Sequence, residues 1–80
     1  MSTKRVKLTF PQELIKEPVI FTMAKKFDVM PNIRRAKVTE SVGEVVLELE
    51  GEGKKLEEGI KYLKERGVKV EAVEGDVLSS

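Results

Sequence analysis

The sequence feature that most restricts the fold is the order in which two hydrophobic periodicities follow each other. In four segments apolar side chains alternate with polar ones, as in strands with one buried face. In two others they recur every three or four residues, as in amphipathic helices. The strands are predicted at residues 4–10, 32–38, 44–50 and 68–73, and the helices at residues 18–27 and 54–66. The predicted order is therefore βαββαβ.

This order leaves few possible topologies. Right-handed connections in both βαβ halves give one four-stranded antiparallel sheet with the spatial order 4-1-3-2 and both helices on one face. This arrangement is the ferredoxin-like α+β sandwich. Because 80 residues suffice for one small domain, we interpret residues 1–80 as a single domain with a core at about 4–73 and a tail or linker at 74–80.

The distribution of charge agrees with this strand order. The first 39 residues carry nine Lys or Arg and three Asp or Glu, whereas residues 40–80 carry six and eleven. In the predicted sheet the acidic third strand lies between the basic first and second strands, so its carboxylates can face basic side chains. The expected groups are Glu48 and Glu50 on the third strand, Arg5 and Lys7 on the first, and Arg35 and Lys37 on the second.

Two positions depart from the simple pattern. In the second strand Ala36 and Val38 share one face. Ile33 falls on the opposite, helix-free face beside Val46, unless a bulge changes the phase. In the second helix Gly59 lies in the apolar face at a cost of about 1 kcal/mol relative to Ala. That glycine predicts a close approach of the helix to the sheet.

The missing residue types exclude several kinds of chemistry. The chain has no Cys and no His, which excludes thiol nucleophiles, disulfides, His acid-base catalysis, iron–sulfur clusters and typical zinc sites. The outward positions of the two central strands carry no aromatic side chain on which RNA bases could stack. We therefore expect a non-catalytic domain without a cofactor, a metal or a nucleic-acid partner.

Membrane insertion and phosphate binding find no support in the sequence either. The apolar runs are only a few residues long and no charged-then-apolar leader opens the chain, which predicts a cytoplasmic protein. The Gly-rich segment at residues 51–55 is similar to phosphate-binding loops but lacks their Lys-Ser/Thr ending, and glutamates lie beside it. A simple turn is the favoured interpretation.

The segment that joins the first helix to the second strand is the candidate ligand site. Met30 and Pro31 are apolar, and the amide of Asn32 can both donate and accept hydrogen bonds. A small amphipathic ligand needs this combination. An Asn that only caps its own turn is an equally good interpretation of residue 32.

Five segments around and beyond this site carry a family resemblance. They are Pro18–Ile20, Asn32–Ile33, Gly43–Gly51, Tyr62–Leu63 and Gly67–Glu71. In content and spacing they resemble the NIL domain, a family named for an Asn-Ile-Leu triplet whose third position is Arg34 here. The resemblance covers nearly the whole chain and implies a ferredoxin-like fold.

The resemblance implies two classes of function. NIL domains occur at the C-terminus of ATPase subunits of methionine-importing ABC transporters, where they bind methionine or a related sulfur amino acid and inhibit transport. They also occur joined to four-iron ferredoxin segments in proteins linked to homocysteine synthesis, and residues 32–38 and 73–77 look more like this group, although its cysteines are missing. The chain is thus expected to be an amino-acid sensor or a docking module for a ferredoxin or sulfur-transfer partner.

For a sensor, we expect Asn32 to anchor the charged groups of a methionine-like ligand. Arg34 or Arg35 would add a bond to the carboxylate, although strand alternation allows only one of them to face the ligand. The apolar surroundings of the thioether would come from Met30, Pro31 and Ile33.

The expected partners follow from the small core and from the resemblance. A core of this size gives a marginal stability without disulfides or metals, and the second strand is an edge that exposes apolar side chains. We therefore expect a homodimer. A transporter ATPase or a ferredoxin is the other partner that the resemblance implies.

Overall fold

A computed structural model describes residues 2–73 of the chain. In chain order its elements are strand β1 (Ser2–Pro11), a 3-10 turn (Gln12–Leu14), helix α1 (Val19–Phe27), strand β2 (Met30–Val38), strand β3 (Val42–Gly51), helix α2 (Gly53–Glu65) and strand β4 (Lys69–Ala72). The strands are antiparallel and ordered β2-β3-β1-β4. The predicted ferredoxin-like fold is confirmed, and the tail predicted at residues 74–80 lies outside the described residues.

The core fills the space between the sheet and the two helices. Every second residue of the two central strands is buried there: Val6, Leu8 and Phe10 of β1, and Val45, Leu47 and Leu49 of β3. Met23 of α1 and Leu56 and Leu63 of α2 meet them from the helix side. The other face of the sheet, here called the open face, carries the alternate, mostly charged side chains of the same strands.

Both helices end where the sequence predicts. Asp28 follows α1 in the left-handed region at φ 57°, where its backbone N–H donates to the carbonyl oxygen of Ala24. After α2, Gly67 adopts φ 102°, and the N–H of Val68 donates to the carbonyl oxygen of Leu63 over 3.0 Å. Glycine is suited to this conformation because it has no Cβ, and the bond satisfies a carbonyl that the helix leaves unpaired.

Gly59 is close-packed, but its neighbour is the other helix. A Cβ added at this position would lie 2.9 Å from the Sδ of Met23 in α1. The predicted approach of α2 to the sheet is therefore corrected to an approach of α2 to α1. The missing side chain makes room for a methionine that is itself completely buried.

A β-bulge sets the faces of β2. Ile33 pairs with Leu47 and Arg35 pairs with Val46, so Arg34 is the extra residue. Because directly paired residues point to the same side of a sheet, the bulge returns Ile33 to the helix side with Ala36. The bulge between Ile33 and Ala36, which would change the alternation of faces along β2, is confirmed. The expectation that Ile33 and Val46 share the helix-free face is wrong.

Charges pair across the open face only partly as expected, since Arg5 meets Glu48 but Lys7 meets Glu44. Arg5 forms an ion pair with Glu48, and the Lys7 Nζ lies 3.9 Å from an Oε of Glu44. From β2 the bulged Arg34, rather than Arg35, approaches Glu48, at 3.9 Å. Strand order therefore pairs basic groups from the first half of the chain with acidic groups from the second.

Neither α1 nor α2, the helices of the described chain, has the length and apolar character needed to cross a membrane.

Candidate functional site

The candidate site begins where α1 passes into β2. After the left-handed Asp28, Val29 is buried in the core, and this anchors the start of the strand. Met30 then pairs with Glu50 and Asn32 pairs with Glu48. Met30 and Asn32 therefore lie on the open face, beside two carboxylates of the central strand β3.

These side chains line a shallow depression of about 250 Å³. We call it the asparagine pocket; its lining residues are Thr3, Met30, Pro31, Asn32, Glu48 and Glu50. Met30 is 65% exposed and offers a polarizable apolar wall, while the two glutamates offer negative charge. An amine with a short apolar side chain matches this combination of groups.

The amide of Asn32 is available to a ligand. Across residues 2–73 its side chain makes no hydrogen bond, so it does not cap its own turn. An amide can donate to a carboxylate through its NH₂ and accept from an ammonium group through its oxygen. The turn-capping interpretation of this residue is therefore not supported by the structure.

The other expected site residues are divided between two surfaces. Ile33 lies on the helix side, so it does not line the asparagine pocket. Arg34 lines a neighbouring depression of about 320 Å³ on the open face, together with Arg5, Arg35, Val46 and Val73. Neither Arg34 nor Arg35 lines the asparagine pocket, and the bulge brings both of them to this neighbouring depression.

Sequence reasoning missed the two glutamates of the asparagine pocket. The predicted strand order already placed β3 next to β2, and the alternation of β3 put Glu48 and Glu50 on the open face. The sequence therefore contained enough information to place these two glutamates on the open face next to β2. The pairing of Asn32 with Glu48, however, depends on the position of the bulge, which the sequence did not specify.

A third depression, of about 230 Å³, lies on the helix side between α1 and the β2-β3 hairpin. Its lining is almost entirely apolar and includes Val19, Phe21 and Val38. Its one charged lining residue, Glu17, forms an ion pair with Arg66. This depression therefore offers apolar contact and little polar recognition.

The acidic side chains of the described residues do not favour a metal or a phosphate site. Within residues 2–73, no group of three or more Asp or Glu side chains is placed to hold a metal ion. At the Gly51–Gly53 turn, Glu52 directly precedes α2. The Lys55 Nζ lies 3.6 Å from a carboxylate oxygen of Asp28 and is therefore paired with it. A phosphate at this turn would meet acidic side chains, in agreement with the simple-turn interpretation.

Comparisons with known proteins place the chain in a family context. The sequence model of the NIL domain matches residues 4–72. The chain is 35% identical over 75 residues to the methionine import ATP-binding protein MetN 1 of Listeria monocytogenes, and 28% identical over 76 residues to the methionine import ATP-binding protein MetN of Bacillus subtilis. These matches cover 89% and 90% of this chain but only 22% of each relative, so the chain spans about a fifth of their length.

A solved structure supports the fold. The C-terminal domain of an ABC transporter ATP-binding protein from Enterococcus faecalis superposes with a TM-score of 0.78 at 24% identity. The match covers 90% of this chain and 84% of that domain. The two chains therefore share one architecture.

Proposed function

The chain belongs to the NIL domain family, and from this premise we propose that it is a regulatory domain that binds methionine or a closely related sulfur amino acid in the asparagine pocket. The names of the related methionine import proteins support the choice of ligand. The observation that carries the proposal is the amide of Asn32, which makes no hydrogen bond within residues 2–73 and lines one depression with an exposed thioether and two carboxylates.

The three chemical parts of a methionine zwitterion match three parts of this pocket. The ammonium group is positioned beside Glu50, which forms no ion pair within residues 2–73 and can accept charge-assisted hydrogen bonds. The carboxylate accepts from the NH₂ of Asn32 and from Arg34, two residues along the strand. The thioether packs against Met30, whose polarizable side chain suits sulfur contacts.

Replacement of Asn32 by Ala tests this assignment. The variant should lose about 1 to 3 kcal/mol of methionine binding, because hydrogen bonds to two charged groups are removed. Its unfolding temperature should stay close to that of the parent, because the side chain is exposed and makes no hydrogen bond within the described chain. Titration calorimetry and thermal unfolding measure the two quantities.

Gln12→Ala is the matched control, because Gln12 carries the one other side-chain amide of the sequence and lies in the 3-10 turn. It should leave binding unchanged. Equal affinity of the parent and Asn32→Ala would place the site elsewhere. If the parent binds neither methionine, homocysteine nor cysteine, the sensor proposal fails and the docking module becomes the better explanation.

The edge of the sheet supports a second part of the proposal, a homodimer. β2 is a nine-residue edge strand whose outer side pairs with no other strand of the described chain. On the helix side of this edge, Ile33 is 57% and Val38 is 62% exposed. The basic Arg35 and Lys37 point to the open face, so they do not interrupt this apolar surface. A second copy offers the same edge, as a two-fold dimer requires.

Ile33→Glu should convert such a dimer into a monomer. It places a charge in the apolar surface that the two copies would bury, and the desolvation of that charge opposes association. Sedimentation equilibrium at high protein concentration measures the mass. Ala72→Glu, at an exposed helix-side position on the opposite edge strand β4, should leave the mass unchanged. A monomeric parent would contradict this part of the proposal.

A further inference from the structure

The depression beside the asparagine pocket concentrates positive charge on the open face. Its lining consists of three arginines, Arg5, Arg34 and Arg35, and two valines, Val46 and Val73. We call it the arginine pocket. It extends over β1, β2 and β3, so its position depends on the folded sheet and not on one charged segment of sequence.

The bulge in β2 creates this concentration. In a regular strand two consecutive side chains point to opposite faces, so Arg34 and Arg35 would be separated by the sheet. Here Arg35 pairs with Val46, and the extra residue Arg34 approaches Glu48, which lies on the same face. Two neighbouring guanidinium groups therefore reach one depression.

Within residues 2–73, Glu48 is the one carboxylate that forms ion pairs with these arginines. Glu48 is held by Arg5, and the Arg34 guanidinium lies 3.9 Å from it, beyond hydrogen-bonding distance. Arg35 forms no ion pair with any residue of the 2–73 range. Like charges held close together on a surface attract a counter-charge.

We propose that the arginine pocket binds a small dianionic oxyanion, of the kind carried by a phosphate monoester or a dicarboxylate. The guanidinium groups of Arg34 and Arg35 offer planar, paired N–H donors that match two oxygens of such a group. Val46 and Val73 give an apolar surface for the carbon skeleton next to the anion. This site borders the amino-acid site proposed above and shares Arg34 with it, but Arg5 and Arg35 belong to the arginine pocket alone, and dianion binding does not require an amino acid.

The test is an NMR titration of the 80-residue chain in the absence of amino acids, at pH 7.5 and constant ionic strength. Methyl phosphate, succinate and chloride are compared. We expect saturable amide shifts confined to residues 33–36 and 46 with methyl phosphate or succinate, and whichever dianion binds more tightly identifies the ligand class. Shifts that chloride reproduces, or that fail to saturate with both dianions, would overturn the proposal.

Matched variants distinguish a specific dianion-binding site from general electrostatic attraction. Arg35→Gln should weaken dianion binding at least tenfold, whereas Lys37→Gln should change it less than twofold. Lys37 is the suitable control because it lies on the same strand and the same face but outside the pocket. Arg35→Lys should retain only part of the affinity, because it keeps the charge and loses the fork of donors. Equal losses in Arg35→Gln and Lys37→Gln would show a diffuse charge effect and refute the site.

Discussion

Leu47→Ala should lower the free energy of unfolding by about 2 to 5 kcal/mol, the usual range for removing a completely buried leucine side chain. Leu47 has no exposed surface, and its strand β3 is central in the sheet. It lies between Val6 of β1 and Ile33 of β2, so the cavity left by the substitution would have walls on both sides. Chemical denaturation monitored by circular dichroism measures the loss.

Val46→Ala is the control for this experiment. Val46 is the neighbouring residue on the same strand, but it points to the open face and is only partly buried. Its truncation should cost less than about 1 kcal/mol, because solvent fills the space that the methyl groups leave. Equal losses at both positions would mean that the helix side of β3 is not the core.

The sequence could predict the fold because several local signals agree. The alternation of β1 and β3, the helical spacing between them and the glycine after α2 each indicate the same element order. Right-handed connections then leave one strand arrangement. Agreement among independent local preferences is what makes a sequence specify one structure.

The faces of β2 could not be assigned from the sequence alone. Eight of the nine residues of this edge strand, all except Pro31, are exposed, so burial does not fix their register. A strand with weak burial on both sides tolerates a bulge. The position of the bulge then decides that Ile33 joins the helix side and that Arg34 and Arg35 share the open face.

The candidate site, like β2, could be predicted only in part from the sequence. The sequence nominated Met30 and Asn32, because apolar groups and one amide meet there at the entrance of a strand. It could not indicate that Asn32 meets Glu48, because that contact depends on the register of two strands far apart in sequence. Local residue types can therefore nominate a ligand site, whereas its charge depends on tertiary pairing.

Gly59 is the second position where the sequence indicated a constraint without its cause. A glycine inside a helix is unfavourable by about 1 kcal/mol, so a compensating contact was expected. The contact is the Sδ of Met23, 2.9 Å from where a Cβ would stand. The periodicity of α1 placed Met23 in the core, but the crossing of two helices is not encoded in either helix alone.

Gly59→Leu should therefore destabilise the domain by about 1 to 3 kcal/mol, in spite of the better helix propensity of leucine. The new side chain needs the space that Met23 occupies, and Met23 is enclosed on all sides by the core. Glu58→Leu, at the exposed neighbouring position of α2, should change stability by no more than about 0.5 kcal/mol.

A double-mutant cycle in chemical denaturation identifies the cause of this loss. Met23→Ala alone should cost about 2 to 5 kcal/mol, because it leaves a cavity between the helices. In that background Gly59→Leu should become neutral or stabilising, because the leucine fills the cavity and favours the helix. The coupling between the two sites should then exceed about 1 kcal/mol. Additive losses would show that the glycine is required for its backbone and not for the methionine that packs against it.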